Sequence, residues 1–108
     1  MPLCYLHTNL KESALKSGIE QRIAKTIAEI LGKPFEKMVV IVIPGVRLLR
    51  EGTTDPACTL NIHSIDVFDA KRNATYTPAV KKLLTSELEL PEERCVIVYH
   101  DLNINFLG

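Results

Sequence analysis

Apolar positions along this chain change their spacing repeatedly, and each change marks the edge of an element. The opening stretch "MPLCYLHTNL" alternates apolar and polar residues and predicts a strand. In "ESALKSGIEQRIAKTIAEILG" the spacing changes: Leu15, Ile19, Ile23, Ile27 and Leu31 recur every four residues, and Ala24, Ala28 and Ile30 widen the same stripe. That spacing predicts an amphipathic helix. Gly32 sits where helix ends favour glycine, and Pro34 blocks continuation. "KMVVIVIPG" then reads as a strand apolar on both faces, ended by Pro44-Gly45. "RLLREGTTDP" is a loop and "ACTLNIHSIDV" a strand. "TYTPAVKKLLTSELEL" carries Tyr76, Val80, Leu83, Leu84 and Leu88 at helical spacing, and "RCVIVYHDL" is the last strand.

The order strand, helix, strand therefore occurs twice. "PFEKMVVIV" from Pro34 and "PEERCVIVY" from Pro91 share proline, glutamate two residues on, a cation next and a valine two further on, each after a helix. The fold class is α+β: one domain over residues 1–108, built as a duplicated β-α-β unit with halves at about 1–50 and 57–108. Four strands about 4.8 Å apart make a sheet about 19 Å wide, and two helices about 10 Å across cover only one face of it. Strands at 38–43 and 95–99 are nevertheless apolar on both faces. A second chain is expected to cover the free face; the alternative is an open sheet with a modestly apolar wet side.

Charge and cysteine content narrow the function classes. Thirteen Lys and Arg balance thirteen Asp and Glu, and no basic run exceeds two residues, so nucleic acid is not an expected partner. The longest apolar runs fall far short of the roughly 18 residues of a membrane span, and no charged-then-apolar signal pattern opens the chain, so no membrane insertion and a cytoplasmic start are expected. Cys4, Cys58 and Cys95 are odd in number and widely spaced, which reads as core thiols. His7, His63 and His100 lie on different strands without ligand spacing, so no metal site is expected. His63 and Ser64 are strand neighbours that point to opposite faces, which excludes a direct nucleophile and base pair; both read as structural.

Several short motifs, in order, carry a resemblance. "MP" at the start, "TN" at Thr8-Asn9, "LGKP" at 31–34, "DPA" at 55–57 and "SI" at 64–65 span nearly the whole chain. Together they resemble the family of macrophage migration inhibitory factor and D-dopachrome tautomerase. The resemblance implies a homotrimer of β-α-β-β-α-β subunits packed with their sheets inward, and no cofactor.

Pro2 taken alone is strand punctuation. Within the family frame it is a candidate catalytic base. Once Met1 is trimmed, Pro2 carries a secondary amine; an ordinary α-amino group titrates near 7.7–8.0, and burial with a nearby cation pushes it lower, leaving neutral amine at physiological pH. The resemblance implies that Lys33 holds a substrate carboxylate beside Pro2, and that the Ile65 backbone amide contacts substrate. The alternatives are a lysine complementing a helix C-terminus and a core isoleucine.

Some positions depart from the family pattern. Val96 and Val98 stand where better-known members have a tyrosine and an asparagine contributed to the pocket by a neighbouring subunit, so a less polar rim is expected. "SID" with Asp66 replaces "SIG", and Ala57 and Leu60 occupy the places of a thiol-redox pair. The chain ends at Gly108, before an aromatic residue and short strand of its relatives, from which a reduced pocket wall and a weaker trimer are expected. The expected function is keto-enol tautomerisation of a small aromatic α-keto acid such as phenylpyruvate, and of dopachrome. The alternative is a cytokine-like protein, secreted without a signal peptide, that binds a cell-surface receptor. A third reading is a structural trimer without activity.

Overall fold

A computed structural model describes all of residues 1–108. The elements are β1 (Leu3–Thr8), α1 (Ile19–Leu31), β2 (Val39–Ile43), β3 (Cys58–Ser64), α2 (Ala70–Leu88) and β4 (Cys95–Asp101). The strands form one mixed sheet in the order β2-β1-β3-β4. β1 runs parallel to β2 and β3 parallel to β4, while β1 and β3 meet antiparallel at the centre. Each parallel pair is joined through a helix, as parallel neighbours require. Both helices lie on one face, where Cys4, Leu6, Ile62 and Leu60 pack against Ile23, Ile27, Val80 and Leu84.

The repeated proline segments have a shared geometry. Pro34 and Pro91, both at φ −68°, each open a 3-10 turn (Phe35–Lys37 and Glu92–Arg94) that leads into an edge strand. Proline presets φ for such a turn and forbids continuation of the preceding helix. Across the helix layer the half-exposed Arg22 holds the buried Glu87 with two bonds of 2.7 and 2.8 Å, tying α1 to α2. The three cysteines are free and buried, as the core-thiol reading expects, and burial pushes the Cys4 thiol up to about 12.

Both helix starts differ from the periodic reading. α1 begins at Ile19, so Leu15 lies outside it: Gly18 sits in the left-handed region (φ 79°), which interrupts the helix path even though the apolar spacing continues across it. Residues Glu12–Ala14 make a separate 3-10 turn. α2 begins earlier than its apolar stripe, at Ala70, because Asp69 caps it by accepting the Arg72 amide at 2.7 Å. Hydrogen bonds from Arg72 hold the Asp69 carboxyl below the usual carboxylate range.

The other sheet face has no helix over it. Leu3, Tyr5 and His7 of β1, Val39, Ile41 and Ile43 of β2, Thr59, Asn61 and His63 of β3, and Val96, Val98 and His100 of β4 point that way. Ile41 and Val98 each keep 40% of their surface exposed. In the single subunit, then, β2 is partly buried on one face, through Val40 and Val42, and exposed on the other, which departs from its two-faced apolar sequence.

Two histidines that are 37 residues apart in sequence stack on this face. The rings of His63 and His100 lie 4.1 Å apart at 9°, with Tyr5 edge-on to His63 at 5.6 Å and His100 Nε2 within 2.7 Å of Asn61 Oδ1. Burial, and then the charge of His100, lower the His63 pKa. A group whose folded pKa is depressed stabilises the fold above its unfolded value, near 6.5, and loses that contribution as pH falls below it. Between about pH 7.5 and 5.5 the melting temperature of the wild type is expected to fall further than that of His63→Asn, read by calorimetry. Equal slopes would remove His63 as the sensitive group.

Candidate active site

The motif residues separate into those that build the scaffold and those that converge at one end of the sheet. Thr8 Oγ1 donates to the Ala57 carbonyl at 2.8 Å, and Asn9 Oδ1 accepts the Ala57 amide at 2.9 Å. Asn9 Nδ2 also donates to the carbonyls of Thr54 and Asp55, at 3.0 and 3.1 Å. "TN" and "DPA" are therefore two sides of one clasp that fixes the loop before β3. Side chains that satisfy loop backbone groups in this way are an alternative to regular ladders.

"LGKP" is a helix stop that aims a lysine. Gly32, at φ 67°, donates to Glu29, and Lys33 donates its amide to the Ala28 carbonyl at 2.9 Å. This pair of bonds is a Schellman closure, which takes up orphan carbonyls and turns the chain off the helix axis. Lys33 then reaches across to the end of β3, where its Nζ donates to the Ile65 carbonyl at 3.2 Å. An ammonium group has three donors, so two remain for a ligand.

Pro2 stands at the entrance to β1, and its carbonyl accepts the Val39 amide at 3.0 Å. Its ring is fully buried, and its nitrogen is in amide linkage with Met1. The β1–β3 register pairs Leu3 with His63, so one step further Pro2 lies across from Ser64, the residue before Ile65. Pro2, Lys33 and Ile65, 63 residues apart at the extremes, thus gather around one sheet end. None of the subunit's four surface cavities is lined by Pro2 or Ile65; Lys33 borders one of about 560 Å³ with Lys25, Ala28, Glu29, Gly32 and Phe35, on the α1 side. Lys37 is exposed in the turn before β2.

Two neighbouring features escape a sequence reading. Asp66 adopts φ 56°, the left-handed region that glycine occupies without cost, and this explains why a glycine suits the third place of "SI-x". Arg72 and Asp101 hold that turn, through the Asp66 carbonyl at 3.0 Å and its amide at 3.3 Å. Ser64, read as structural, is wholly buried with an unpartnered hydroxyl. No pattern in the sequence signals an orphaned oxygen, which is visible only when the surroundings are assembled.

Comparison with known proteins follows the same geometry. The model of the macrophage migration inhibitory factor family matches residues 1–108. The chain belongs to that family. It is 38% identical over 109 aligned positions to a D-dopachrome decarboxylase of Mus musculus, covering 100% of this chain and 92% of that protein. It is 34% identical to a MIF-like protein of Caenorhabditis elegans, covering 94% of this chain and 85% of the relative. Among solved structures, the macrophage migration inhibitory factor of Trichinella spiralis superposes with a TM-score of 0.93 at 25% identity, over 98% of this chain and 94% of the other. The macrophage migration inhibitory factor homologue of Prochlorococcus marinus, at 24% identity and a TM-score of 0.86, shares the fold. Membership in the macrophage migration inhibitory factor family supports a role of tautomerase or cytokine type.

Proposed function

We propose that this chain is a cofactor-independent keto-enol tautomerase for small aromatic α-keto acids of the phenylpyruvate type, and for dopachrome, with the Pro2 nitrogen as base in a homotrimer. The observation that carries this reading is the convergence of Pro2, Ile65 and the Lys33 ammonium at one sheet end. With Met1 removed, the amine takes a proton from the substrate carbon next to the carbonyl and the keto oxygen gains one. The same atoms serve the reverse direction, and no electrons leave the substrate. A base works best with a pKa near the operating pH, and a buried amine beside a cation meets that condition. Lys33, with two donors unused by Ile65, grips the carboxylate, and the Ile65 amide orients it. Val96 and Val98 on the uncovered face give a neighbouring subunit's pocket an apolar rim, which favours an unsubstituted phenyl ring over a hydroxylated one.

Lys33→Ala is expected to raise KM for phenylpyruvate about tenfold or more with a smaller change in kcat, because it removes a charge contact made to ground state and transition state alike. Ultraviolet absorbance of the enol follows the reaction in Met-trimmed protein. Absence of enolisation by the trimmed wild type, or an unchanged KM in the variant, overturns the assignment.

The second reading is signalling. Relatives named macrophage migration inhibitory factor, from Meriones unguiculatus, Rattus norvegicus and Mus musculus, align over the whole chain at 28–29% identity. In this reading the protein acts outside the cell and engages a cell-surface receptor.

A further inference from the structure

Ser64 closes β3 with none of its surface exposed, and its Oγ makes no hydrogen bond. Natural interiors satisfy almost all such atoms, so an orphaned hydroxyl points to a partner that the present chemical state withholds. Its direction follows from strand alternation. Cys58, Leu60, Ile62 and Ser64 are all buried and share the helix-side face of β3. On β1, Cys4 and Leu6 point to the same side, and Pro2, two residues before Cys4 and itself buried, continues that row.

The antiparallel register Leu3↔His63 sets Pro2 directly across from Ser64. Side chains facing each other in such a pair have Cβ atoms about 4.5–5.5 Å apart, which is within reach of a hydroxyl and a ring nitrogen. Backbone groups nearby already have partners: the Pro2 carbonyl takes Val39, the Ser64 carbonyl takes Leu102 and the Ile65 carbonyl takes Lys33. While Met1 is attached, the Pro2 nitrogen is a tertiary amide with no hydrogen to give and a delocalised lone pair. Removal of Met1 creates one N–H on the neutral amine and two on its protonated form.

We infer that Ser64 is a positioning residue for Pro2: in the Met-trimmed protein its Oγ accepts an N–H from the Pro2 nitrogen and thereby turns the nitrogen lone pair out of the core, toward the side where Lys33 ends. This inference rests on the reading of Pro2 as the base. The bond is made to both forms of the amine and is stronger to the charged one, so it raises the Pro2 pKa against the lowering effects of burial and Lys33. A base of correct direction and moderate pKa results.

The test is a nitrogen-15 NMR titration of Pro2 in Met-trimmed wild type and Ser64→Ala, with phenylpyruvate kinetics on the same samples. Ser64→Ala is expected to lower the Pro2 pKa by about one unit, since a hydrogen bond to a charged group is worth about that much. Where the protein is active, the acid limb of kcat against pH moves down by the same amount and kcat on the plateau falls about tenfold, with KM within about twofold. A hydroxyl that is only structural leaves the titration and the profile unmoved while the variant melts at the same or a higher temperature, because removing an unpaired buried polar group relieves the fold. An unmoved titration overturns the inference. The two failures are separable: a trimmed wild type without enolisation removes the base reading, whereas an active wild type with an unshifted Pro2 in Ser64→Ala removes only the role of Ser64.

Discussion

Pro2→Gly in the Met-trimmed protein is expected to lower kcat for phenylpyruvate enolisation by about 10²–10⁴, the range that general base catalysis contributes. Glycine keeps an α-amine, so the loss comes from geometry and basicity. The pyrrolidine ring ties the nitrogen to both Cα and Cδ and so fixes the direction of its lone pair at the start of β1, whereas a glycine amine rotates freely about its N–Cα bond. The scaffold is expected to survive, because the link to β2 runs through the backbone carbonyl of residue 2, which accepts the Val39 amide. Protein that retains Met1 supplies the matched control. Its Pro2 nitrogen is an amide and cannot take a proton, so activity should track the trimmed fraction seen by intact mass. Equal rates in wild type and Pro2→Gly, or full activity in Met1-bearing protein, would exclude the proline amine as the base.

Ile41→Lys is expected to break the proposed trimer. Ile41 lies in the middle of β2 on the sheet face without a helix, paired with Tyr5 and 40% exposed in the single subunit. In a trimer packed sheet inward this side chain is covered. An ammonium group there has no carboxylate beside it among the outward-facing residues of its neighbouring strand, Leu3, Tyr5 and His7. The cost of burying an unpaired charge is several kcal/mol, and each 1.4 kcal/mol is about tenfold in an association constant. At micromolar concentration the variant should elute and scatter as a monomer while circular dichroism retains the helix and strand content. On the proposed function, tautomerase activity should fall with it, because Val96 and Val98 of a neighbouring subunit would supply the apolar rim. A trimeric Ile41→Lys would mean that this face is not the contact.

The periodic pattern carried most of the architecture. Four strands, two helices, their order and the one-sided helix layer follow from spacings of two and nearly four, since burial of one face is what those spacings encode. The proline repeats at Pro34 and Pro91 were legible for a related reason, because proline restricts its own backbone wherever it stands. Helix starts were less legible. Gly18 and Asp69 act through backbone conformation and capping, and these outrank the apolar stripe locally.

The candidate site shows the same division. Pro2, Lys33 and Ile65 are named by the family motif, and the sequence by itself determined their identities, the fold class and the balanced charge that argues against nucleic acid. Only the tertiary structure decided that the Lys33 ammonium meets the Ile65 carbonyl, that Ser64 is buried with a free hydroxyl one step beyond the Leu3–His63 pair, and that His63 stacks on His100. Periodicity is a property of neighbours along one chain segment. Register is a property of two distant segments that bury each other, and a slip of one residue would turn Ser64 away from Pro2 and place His63 opposite it.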